Sequence, residues 1–521
     1  MSKPPIIWSI AGTDSGGGAG LSADQRAADA FGVHLCPVVA AVTAQNTTSV
    51  TRIEALTPEN LNAQLDTLAQ DMPPRVIKTG LLGTADNAWA VARFVDRLRE
   101  HSPVALVVDP VLRASSGTDF ADQALIQAYR EALLPRATVI TPNQSEAARL
   151  LGVETHEPVP GLAKALRALA GGATVLVTGG DAATPDLAMD WLDSPHAEGW
   201  LSLPRVPTPH HHGTGCTFAS AVASALALGF VTADAAVLAK MATTHALRGA
   251  RAVGRGPGPV VATGGFGADP TLLPRLSLPP HAVAPLAPAK QRRQPGVYAI
   301  VDSAERVEAV LRAQPTVSTI QLRMKRPPDL DDAQWNLQLQ TAIERSQQAA
   351  NAAQAALFIN DHWQAALTAG ARAVHLGQED LLALTPAQHA QLEAARHSGI
   401  QLGLSSHSLW ELCRAATMAP DYIACGPVWP TTTKDMPWRP QGLDNLAWWA
   451  HMAPAPVVGI GGILTPGQLQ AVAATAAAGG CIVRGLRQDP AATLPVWLAA
   501  WTTGRAERDQ PPCPALPHPA L

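Results

Sequence analysis

The sequence has few of the features that would place it in a membrane, outside the cell or on a nucleic acid. Six cysteines are scattered through 521 residues without a Cys-x-x-Cys pair, which argues against a disulfide framework and a zinc ribbon. A formal net charge of −4 gives no basic footprint for nucleic acid and no polybasic anchor. No apolar run approaches the roughly 18 residues that a membrane span needs. The first residues lack a signal-peptide pattern, so we expect a cytoplasmic protein.

Length and composition predict more than one globular domain. Apolar residues make up 47% of the chain and charged residues 15%, which easily supplies packed interiors. A proline-rich stretch without helical or strand periodicity predicts an exposed linker over 266–295. The tail 504–521 has a similar composition and is predicted to be disordered. Two domains remain, 1–265 and 296–503.

The first block alternates β-branched runs with helix-like segments. This alternation predicts a mostly parallel sheet with helices on both faces, which is a three-layer α/β/α domain. The helix-like segments include Asp86–Arg99 and Asp122–Leu133. The predicted strands are Ile6–Ala11, Val76–Thr79, Val104–Asp109, Val139–Thr141 and Val175–Thr178.

The second block repeats a strand–helix unit eight times, which predicts a closed (β/α)8 barrel, the TIM barrel fold. In that fold the catalytic residues follow the C-terminal ends of the strands, and the polar clusters of this block obey the rule. The predicted strands are Val297–Val301, Thr319–Arg323, Leu357–Asn360, Ala373–Leu376, Gln401–Leu404, Tyr422–Cys425, Val457–Ile460 and Cys481–Val483.

Two glycine-containing motifs carry the candidate chemistry of the first block. The motif from Gly12 to Gly20 follows the first strand, and such a turn can cradle a phosphate or let a ligand ring approach the backbone. The motif His212-Gly-Thr-Gly-Cys216 opens an apolar helix, where the amides of Gly213 and Gly215 could form an anion hole for a phosphoryl group. The helix dipole would favour a catalytic thiolate at Cys216, and a buried structural cysteine is the alternative.

These motifs resemble the hydroxymethylpyrimidine/phosphomethylpyrimidine kinase family, which is ribokinase-like. The resemblance covers about residues 5–262 and extends to Ala44-Gln-Asn-Thr47, Lys78-Thr-Gly-Leu-Leu82, Asp109-Pro-Val111 and Thr141-Pro-Asn143-x-x-Glu146. It implies that ATP phosphorylates hydroxymethylpyrimidine and then its monophosphate.

The same resemblance implies roles for individual residues of the first block. Asp24 and Gln45 would hydrogen-bond the aminopyrimidine, whose donors and acceptors a carboxylate and a carboxamide can match. Asn143 and Glu146 would organise Mg²⁺ and the nucleotide phosphates, and Asp109 resembles a further acidic position near the metal. The family often has a lysine where Ser115 and Thr178 stand, which leaves the grip on ATP open.

Amide, cationic and carboxylate groups follow the early strands of the second block. Gln321, Arg323 and Lys325 alternate, so an extended strand would place all three on one face, which suits an anionic ligand such as a diphosphate. Asp361 and Asp380 follow the third and fourth predicted strands, and paired carboxylates favour Mg²⁺.

Later strands of this block add a second group of candidates. Lys434 closes Pro430-Thr-Thr-Thr-Lys434, whose hydroxyls and ammonium could hold a leaving diphosphate. Gly461 and Gly462 match the phosphate site typical of barrels, built from glycine amides and the segment after the eighth strand. The block therefore predicts two anion sites, one for a Mg²⁺-bound diphosphate and one for a second phosphate.

The order of these motifs, over about residues 296–490, resembles thiamine-phosphate synthase. The resemblance implies that hydroxymethylpyrimidine diphosphate condenses with thiazole phosphate while Lys434 stabilises the departing diphosphate. Ionisation needs no general base, so His375 and His407 are expected to be structural or hydrogen-bonding groups. Further substrate-binding positions at the motifs are Asn360, Ser405, Thr431, Thr433, Val483 and Arg484.

Two alternatives remain open. The first block could act on pyridoxal or pyridoxine, although Gln45 and the second block argue for a pyrimidine. The barrel could be a binding or isomerase module, although Asp361, Asp380, Lys325 and Lys434 suit a Mg²⁺-bound diphosphate. The expected partners are ATP and small-molecule substrates, without nucleic acid or membrane, and the sequence leaves homo-oligomerisation open.

Overall fold

The chain divides into two compact units, residues 1–283 and 284–521, each with its own sheet and core. Among the described residues no helix is long and apolar enough to cross a membrane. The computed structural model describes residues 3–113, 119–154, 156–180, 186–278, 294–313, 315–431, 437–486, 489–507 and 513–521.

The first unit is built around a ten-stranded sheet in the order β10-β9-β8-β7-β6-β5-β4-β1-β2-β3. Its strands are β1 Ile6–Asp14, β2 His34–Gln45, β3 Val50–Ala55, β4 Val76–Thr79, β5 Ala105–Val108, β6 Val139–Ile140, β7 Thr174–Val177, β8 Leu187–Asp193, β9 Glu198–Pro204 and β10 Arg275–Leu276. Its helices are α1 Gly20–Phe31, α2 Pro58–Asp71, α3 Ala85–Arg99, α4 Gln123–Ala128, α5 Gln144–Leu151, α6 Val159–Leu169, α7 Thr214–Ala227 and α8 Thr232–Arg248.

The parallel centre of this sheet confirms the predicted α/β fold. Strands β2, β1, β4, β5, β6 and β7 pair in parallel, whereas β3 and β8 to β10 add antiparallel edges. Helices α2 to α6 contribute side chains to one large core cluster with the sheet. Helices α1, α7 and α8 pack on one another, and α7 contacts β1, β4 and β5. Helices α7 and α8 are rich in alanine and buried nearly all round, so they can approach each other closely.

The first part of the predicted linker belongs to this core. Phe266–Ala268 and Pro270–Leu272 form 3₁₀ turns, and Arg275–Leu276 pairs with β9. Phe266 is buried against Phe31, with ring centroids 4.8 Å apart. The linker prediction was therefore wrong for 266–278, because apolar side chains there bury themselves between the prolines. The remainder of the predicted linker, apart from its last two residues, lies outside the described residues.

The second unit is a closed barrel of eight parallel strands, as predicted. Its strands are β11 Gly296–Val301, β12 Thr319–Leu322, β13 Ala356–Asn360, β14 Ala373–Leu376, β15 Gln401–Ser406, β16 Tyr422–Cys425, β17 Val457–Gly459 and β18 Gly479–Ile482. Its helices are α9 Ala304–Arg312, α10 Asp332–Ala352, α11 Trp363–Thr368, α12 Gln378–Ala383, α13 Pro386–His397, α14 Leu409–Thr417, α15 Gly442–Met452, α16 Pro466–Ala474 and α17 Pro490–Ala506.

The C-terminal tail also departs from its prediction. Helix α17 continues to Ala506, and the segment 513–521 packs on the barrel with Ala520 buried. The backbone of His518 exchanges hydrogen bonds with the Asn445 side chain of α15 at 2.8 and 3.0 Å. The expected disorder was thus wrong for these residues, because a side-chain amide satisfies the tail backbone. Residues 508–512 lie outside the described part of the chain.

Candidate functional sites

The glycine-rich turn after β1 folds around the carboxylate of Asp14. Oδ1 accepts the Gly16 amide at 2.8 Å, while Oδ2 accepts the amides of Gly18 at 2.9 Å and Ala19 at 2.8 Å. These three amides are therefore engaged by the protein and not available to a phosphate. Burial alone would raise the pKa of Asp14, but hydrogen bonds from His212 and the loop amides hold it below its ordinary value.

The second glycine motif meets the first through His212. His212 Nε2 lies 3.0 Å from Asp14 Oδ2 and 3.3 Å from the side-chain amide nitrogen of Gln45. Gly213 caps helix α7 at φ +86°, and a Cβ there would come within 2.2 Å of the Gly18 carbonyl oxygen. Glycine at 213 therefore lets the two loops touch, and the predicted pyrimidine contact Gln45 lies beside them.

Asp24 occupies a different place from the one that the resemblance implied. It lies on the inward face of α1, fully buried, with Lys78 Nζ 3.0 and 3.1 Å from its two oxygens. Ser9 donates to it at 2.6 Å and Ser220 at 2.8 Å. Both oxygens are thus occupied, which does not fit a direct contact between Asp24 and a pyrimidine.

The Lys78 side chain also faces Asp109 at the end of β5. Nζ lies 3.6 Å from Asp109 Oδ2, which is buried and has no hydrogen-bond partner among the described residues. Burial raises the pKa of Asp109 to about 6, opposed by Lys78 and reinforced by Asp24. Burial would lower the pKa of Lys78, but the charges of Asp24 and Asp109 hold it above its ordinary value. A buried carboxylate oxygen with spare capacity suits a hard cation such as Mg²⁺.

Cys216 stands in the first turn of α7, close to this charge cluster. Burial raises the pKa of its thiol to about 12, Lys78 opposes the rise, and Asp24 and Asp109 add to it. Burial and the two carboxylates therefore work against the expected thiolate at Cys216. The first amides of α7, including that of exposed Gly215, have no intrahelical acceptor and remain suited to an anion.

Asn143 and Glu146 form a capping box at the start of α5. Asn143 Oδ1 accepts the Glu146 amide at 2.9 Å, and Glu146 Oε2 accepts the Asn143 amide at 3.0 Å. Glu146 Oε1 also accepts the Leu112 amide at 3.4 Å, which ties this helix to the segment after β5. A backbone bridge places Asn143 beside Thr178. The capping role explains both residues locally. Ser115 lies outside the described residues.

A chain of polar side chains crosses the interior of the barrel. Gln321 donates to the Tyr298 hydroxyl at 3.1 Å, and the hydroxyls of Tyr298 and Tyr422 lie 2.8 Å apart. His375 connects Tyr422 at 2.7 Å to Ser405 Oγ at 3.0 Å. Burial lowers the pKa of His375 to about 3, and the charges of Arg323 and His407 lower it further. His375 is thus a neutral hydrogen-bonding group, which agrees with its expected role.

The residues after β12 do not share one strand face. Strand β12 ends at Leu322, so strand alternation covers only Gln321, which is buried inside the barrel. Arg323 is half-buried just beyond the strand, and Lys325 is exposed. The prediction that the three side chains lie on one strand face was therefore wrong in its geometry.

The structure brings the two predicted metal ligands together. Asp361 follows β13 at φ +62°, and Asp380 lies in the first turn of α12, where its Oδ2 accepts the Gly377 amide at 3.0 Å. Burial and the charge of the hydrogen-bonded Asp380 carboxyl together raise the pKa of Asp361 to about 6. Two carboxylates pressed together fit a shared Mg²⁺, although no group of three acidic, histidine or cysteine ligands occurs among the described residues. Buried Asn360 precedes Asp361 at the end of β13.

The predicted second phosphate site follows β17 and β18, which are neighbours in the barrel. Gly461 and Gly462 have φ values of +88° and +73°, and a Cβ on Gly462 would come within 2.7 Å of the Trp429 carbonyl oxygen. Half-buried Val483 and exposed Arg484 follow β18. Thr431 is half-buried, and Thr433 and Lys434 lie outside the described residues.

Sequence reasoning missed the residues that hold these sites together. They are His212, Asp14 and Lys78 in the first unit, and Tyr298, Tyr422 and Gln441 in the second. Lys78 and His212 belong to motifs that were recognised in the sequence. The available signal for their role was a polar side chain among apolar neighbours.

The two sites define a chain of two transferase units, one a ribokinase-like α/β unit and the other a (β/α)8 barrel. Residues 14–261 match the phosphomethylpyrimidine kinase family, and residues 297–486 match the thiamine monophosphate synthase family.

Similar proteins match either most of this chain or about half of it. A probable thiamine biosynthetic bifunctional enzyme, chloroplastic, of Oryza sativa subsp. japonica is 33% identical over 472 residues, covering 88% of this chain and 81% of that protein. A hydroxymethylpyrimidine/phosphomethylpyrimidine kinase of Synechococcus elongatus is 40% identical over 258 residues, covering 49% of this chain and 96% of that protein. A solved pyridoxal kinase of Bacillus subtilis in complex with ADP aligns with a TM-score of 0.46 and 30% identity, over 50% of this chain and 98% of that one. The chain belongs to the family of bifunctional thiamine biosynthetic enzymes, with a kinase unit and a thiamine-phosphate synthase unit.

Proposed function

We propose that the first unit uses ATP to phosphorylate hydroxymethylpyrimidine and then its monophosphate, and that the second unit joins the diphosphate to thiazole phosphate. The observation that carries this proposal is the presence, on one chain, of a helix N-terminus beside Gln45 and of a paired-carboxylate site in a barrel. The product of the first reaction is the substrate of the second. The six free cysteines suit a reducing compartment such as the cytoplasm.

In the kinase unit, we assign recognition of the pyrimidine to Gln45. Its carboxamide offers both a donor and an acceptor, as an aminopyrimidine edge requires. His212 and Ser15 fix Gln45, since Ser15 Oγ exchanges hydrogen bonds with the Gln45 backbone at 2.7 and 2.8 Å. The first amides of α7, at Gly213 and Gly215, would stabilise the charge of the phosphoryl group in transfer.

Cys216 acts in this proposal as a neutral thiol that positions the hydroxymethyl group. A thiol with a pKa of about 12 is almost entirely protonated near neutrality. Phosphoryl transfer through a loose transition state depends more on positioning and charge stabilisation than on a strong base. Asp109 would hold Mg²⁺, which neutralises phosphate charge when bound, and the Nδ2 group of Asn143 is left to contact the nucleotide.

In the barrel, we assign the grip on Mg²⁺ to Asp361 and Asp380. The bound ion would supply charge stabilisation to the departing diphosphate. Arg323 lies near Asp361 and can add a cation to the same anion. His375 holds the Ser405 hydroxyl in place for the pyrimidine, and Gly461 and Gly462 offer their amides to the thiazole phosphate. The roles of Thr433 and Lys434 in holding the diphosphate stay predictions from sequence.

A two-arm assay tests the proposal. The first arm supplies hydroxymethylpyrimidine, ATP, Mg²⁺ and thiazole phosphate, and thiamine phosphate is followed by mass spectrometry. The second arm supplies preformed pyrimidine diphosphate without ATP, so it reports the barrel alone. We expect product in both arms. If the first unit phosphorylates pyridoxal faster than hydroxymethylpyrimidine in a parallel assay, the proposed substrate of that unit is wrong. If the second arm gives no product, the proposed reaction of the barrel is wrong.

A further inference from the structure

The C-terminal segment 513–521 is joined to the start of α15 by a compact set of hydrogen bonds. His518 N donates to Asn445 Oδ1 at 2.8 Å, and Asn445 Nδ2 donates back to the His518 carbonyl at 3.0 Å. Arg439 N donates to the Ala520 carbonyl at 2.8 Å. The His518 side chain reaches the Gln441 carbonyl through Nε2 at 2.9 Å and the Pro519 carbonyl through Nδ1 at 3.2 Å.

Gln441 connects this tail to the loops that follow β15 and β16. It is fully buried, and each of its polar groups has a partner. Its backbone amide donates to the Pro427 carbonyl at 2.7 Å, and its Nε2 donates to the His407 carbonyl at 2.7 Å. Its Oε1 accepts Asn445 Nδ2 at 2.8 Å, and its carbonyl accepts His518. One residue therefore ties together two loops, helix α15 and the tail.

These two loops lie beside two positions that the sequence predicts to bind substrate. Ser405, in β15, lies two residues before His407, and Thr431 follows the segment that begins at Pro427. Loss of the tail would leave the Gln441 carbonyl and the fully buried Asn445 side chain short of partners, which costs more than the bonds contribute when made. The loops would then relax toward other arrangements that satisfy these groups.

We propose that His518 and the tail segment 513–521 position the β15 and β16 loops of the barrel for binding the pyrimidine diphosphate. Gln441 connects the tail to these loops, because it accepts from His518 and donates to the carbonyls of His407 and Pro427. This inference rests on the proposed synthase activity of the second unit. In this proposal the tail is needed for normal substrate binding by the barrel.

The test compares the full chain with a chain that ends after Glu507. Both are assayed in the synthase direction with preformed pyrimidine diphosphate, at a temperature where circular dichroism shows the barrel folded. We expect the truncation to raise KM for the diphosphate roughly tenfold, as expected for a buried polar group left without its partner. The kcat value should change less. Kinase turnover, measured on the same chains, should be unchanged and serves as the internal control.

Point variants separate positioning from bulk stability. His518→Ala should raise KM by less than the truncation, because the backbone bonds to Asn445 remain, and His518→Gln should recover part of the loss through its amide donor. Ala515→Ser, at an exposed tail position, should leave KM unchanged. A synthetic peptide of residues 513–521, added at high concentration, should lower the KM of the truncated chain.

Each outcome decides between explanations. An unchanged KM in the truncated chain, or a lower melting temperature with unchanged KM, would overturn the positioning role and leave a stabilising contact only. If the truncated barrel does not fold, the His518→Ala and His518→Gln pair still decides, since a KM equal to that of the full chain in both would sink the proposal. Absence of synthase activity in the full chain itself would instead count against the proposed function.

Discussion

The two units solve the same electrostatic problem in opposite ways. Beneath the kinase site, the charged side chains of Asp24, Lys78 and Asp109 are buried together, and Lys78 faces both carboxylates. Inside the barrel, the polar side chains of the hydrogen-bonded network are neutral, and hydroxyls such as those of Tyr298 and Tyr422 satisfy one another. Buried charges are costly unless each has a partner, whereas a fully satisfied neutral network has little to lose to pH or salt. The buried groups beneath the kinase site therefore determine the charge of that site, whereas the buried groups inside the barrel determine its shape.

Replacement of Lys78 should have the largest effect on stability, because it removes the cation from the charged interior of the first unit. Lys78→Met would leave Asp24 and Asp109 buried without a cation, and removal of one partner of a buried pair costs about 3–5 kcal/mol. We expect the first unit to melt at a much lower temperature and to lose kinase activity, while synthase activity persists. Thermal unfolding followed by calorimetry, with both activities assayed, measures this.

The matched change in the barrel is Tyr298→Phe. It removes one hydroxyl from the neutral network and should cost about 1–3 kcal/mol, less than the loss of Lys78. Adding Asp24→Asn to Lys78→Met should recover part of the stability, because one buried charge disappears. Equal destabilisation by the Lys78 and Tyr298 variants would contradict the contrast between the two interiors.

The carboxylate pair at the barrel mouth gives the next largest effect. Asp361→Asn should lower synthesis from preformed pyrimidine diphosphate by about 10²–10³-fold, comparable to the loss of one group that stabilises transition-state charge. Without Mg²⁺ the variant should be no less stable than the parent chain, because the repulsion from Asp380 is relieved. Glu344→Gln, an exposed change on α10, is the control for activity and stability. Full synthesis in EDTA would contradict the metal assignment.

The boundary of the first unit supplies a third test. A fragment ending at residue 278 should fold and keep kinase activity, because its sheet and core are then complete. A fragment ending at residue 265 loses the buried side chains of Phe266, Leu272 and Leu276. It should be less stable, because each contributes roughly 1.5–3 kcal/mol of burial, offset in part by the entropy of ordering the segment. Urea unfolding of both fragments measures this difference. Identical unfolding midpoints would show that residues 266–278 belong to the linker.

Cys216 should show the smallest effect. Because burial and nearby carboxylates raise its pKa, we expect no thiol ionisation in the kinase pH–rate profile between about pH 6 and 9. Cys216→Ser keeps a hydrogen-bonding group and should retain turnover within about tenfold, whereas Cys216→Ala should lose more. If kinase turnover rises with a pKa near 7 in the parent chain and this rise is absent from the serine variant, a thiolate is catalytic after all.

The sequence predicted the elements well where one local pattern determined them. All eight barrel strands lie where β-branched runs placed them, with ends that differ by at most two residues. Asp361 and Asp380 follow adjacent strands, so the parallel barrel brings them together. The pattern failed where burial depends on partners far along the chain. The family resemblance placed Asp24 at the ligand, and no local signal in the sequence shows that Lys78 and Ser220 meet it from β4 and α7.

Proline content misled the prediction of the two irregular segments. Proline disfavours helices and central strands, but it does not prevent a segment from burying apolar side chains between prolines. Phe266 and Leu272 do so in the first unit, and Ala520 does so in the second. The link between Asp14 and His212 was equally invisible, since 198 residues separate the two side chains.

The aromatic side chains packed inside the barrel affect how ligands can enter and leave it. Tyr298, Phe358 and Tyr422 pack against one another in the space enclosed by the eight strands, with ring centroids 5.1 to 6.0 Å apart. The barrel is thus closed below its mouth, as in other packed barrels. A ligand bound at the mouth therefore has no passage through the packed interior and is expected to enter and leave on the same side of the barrel.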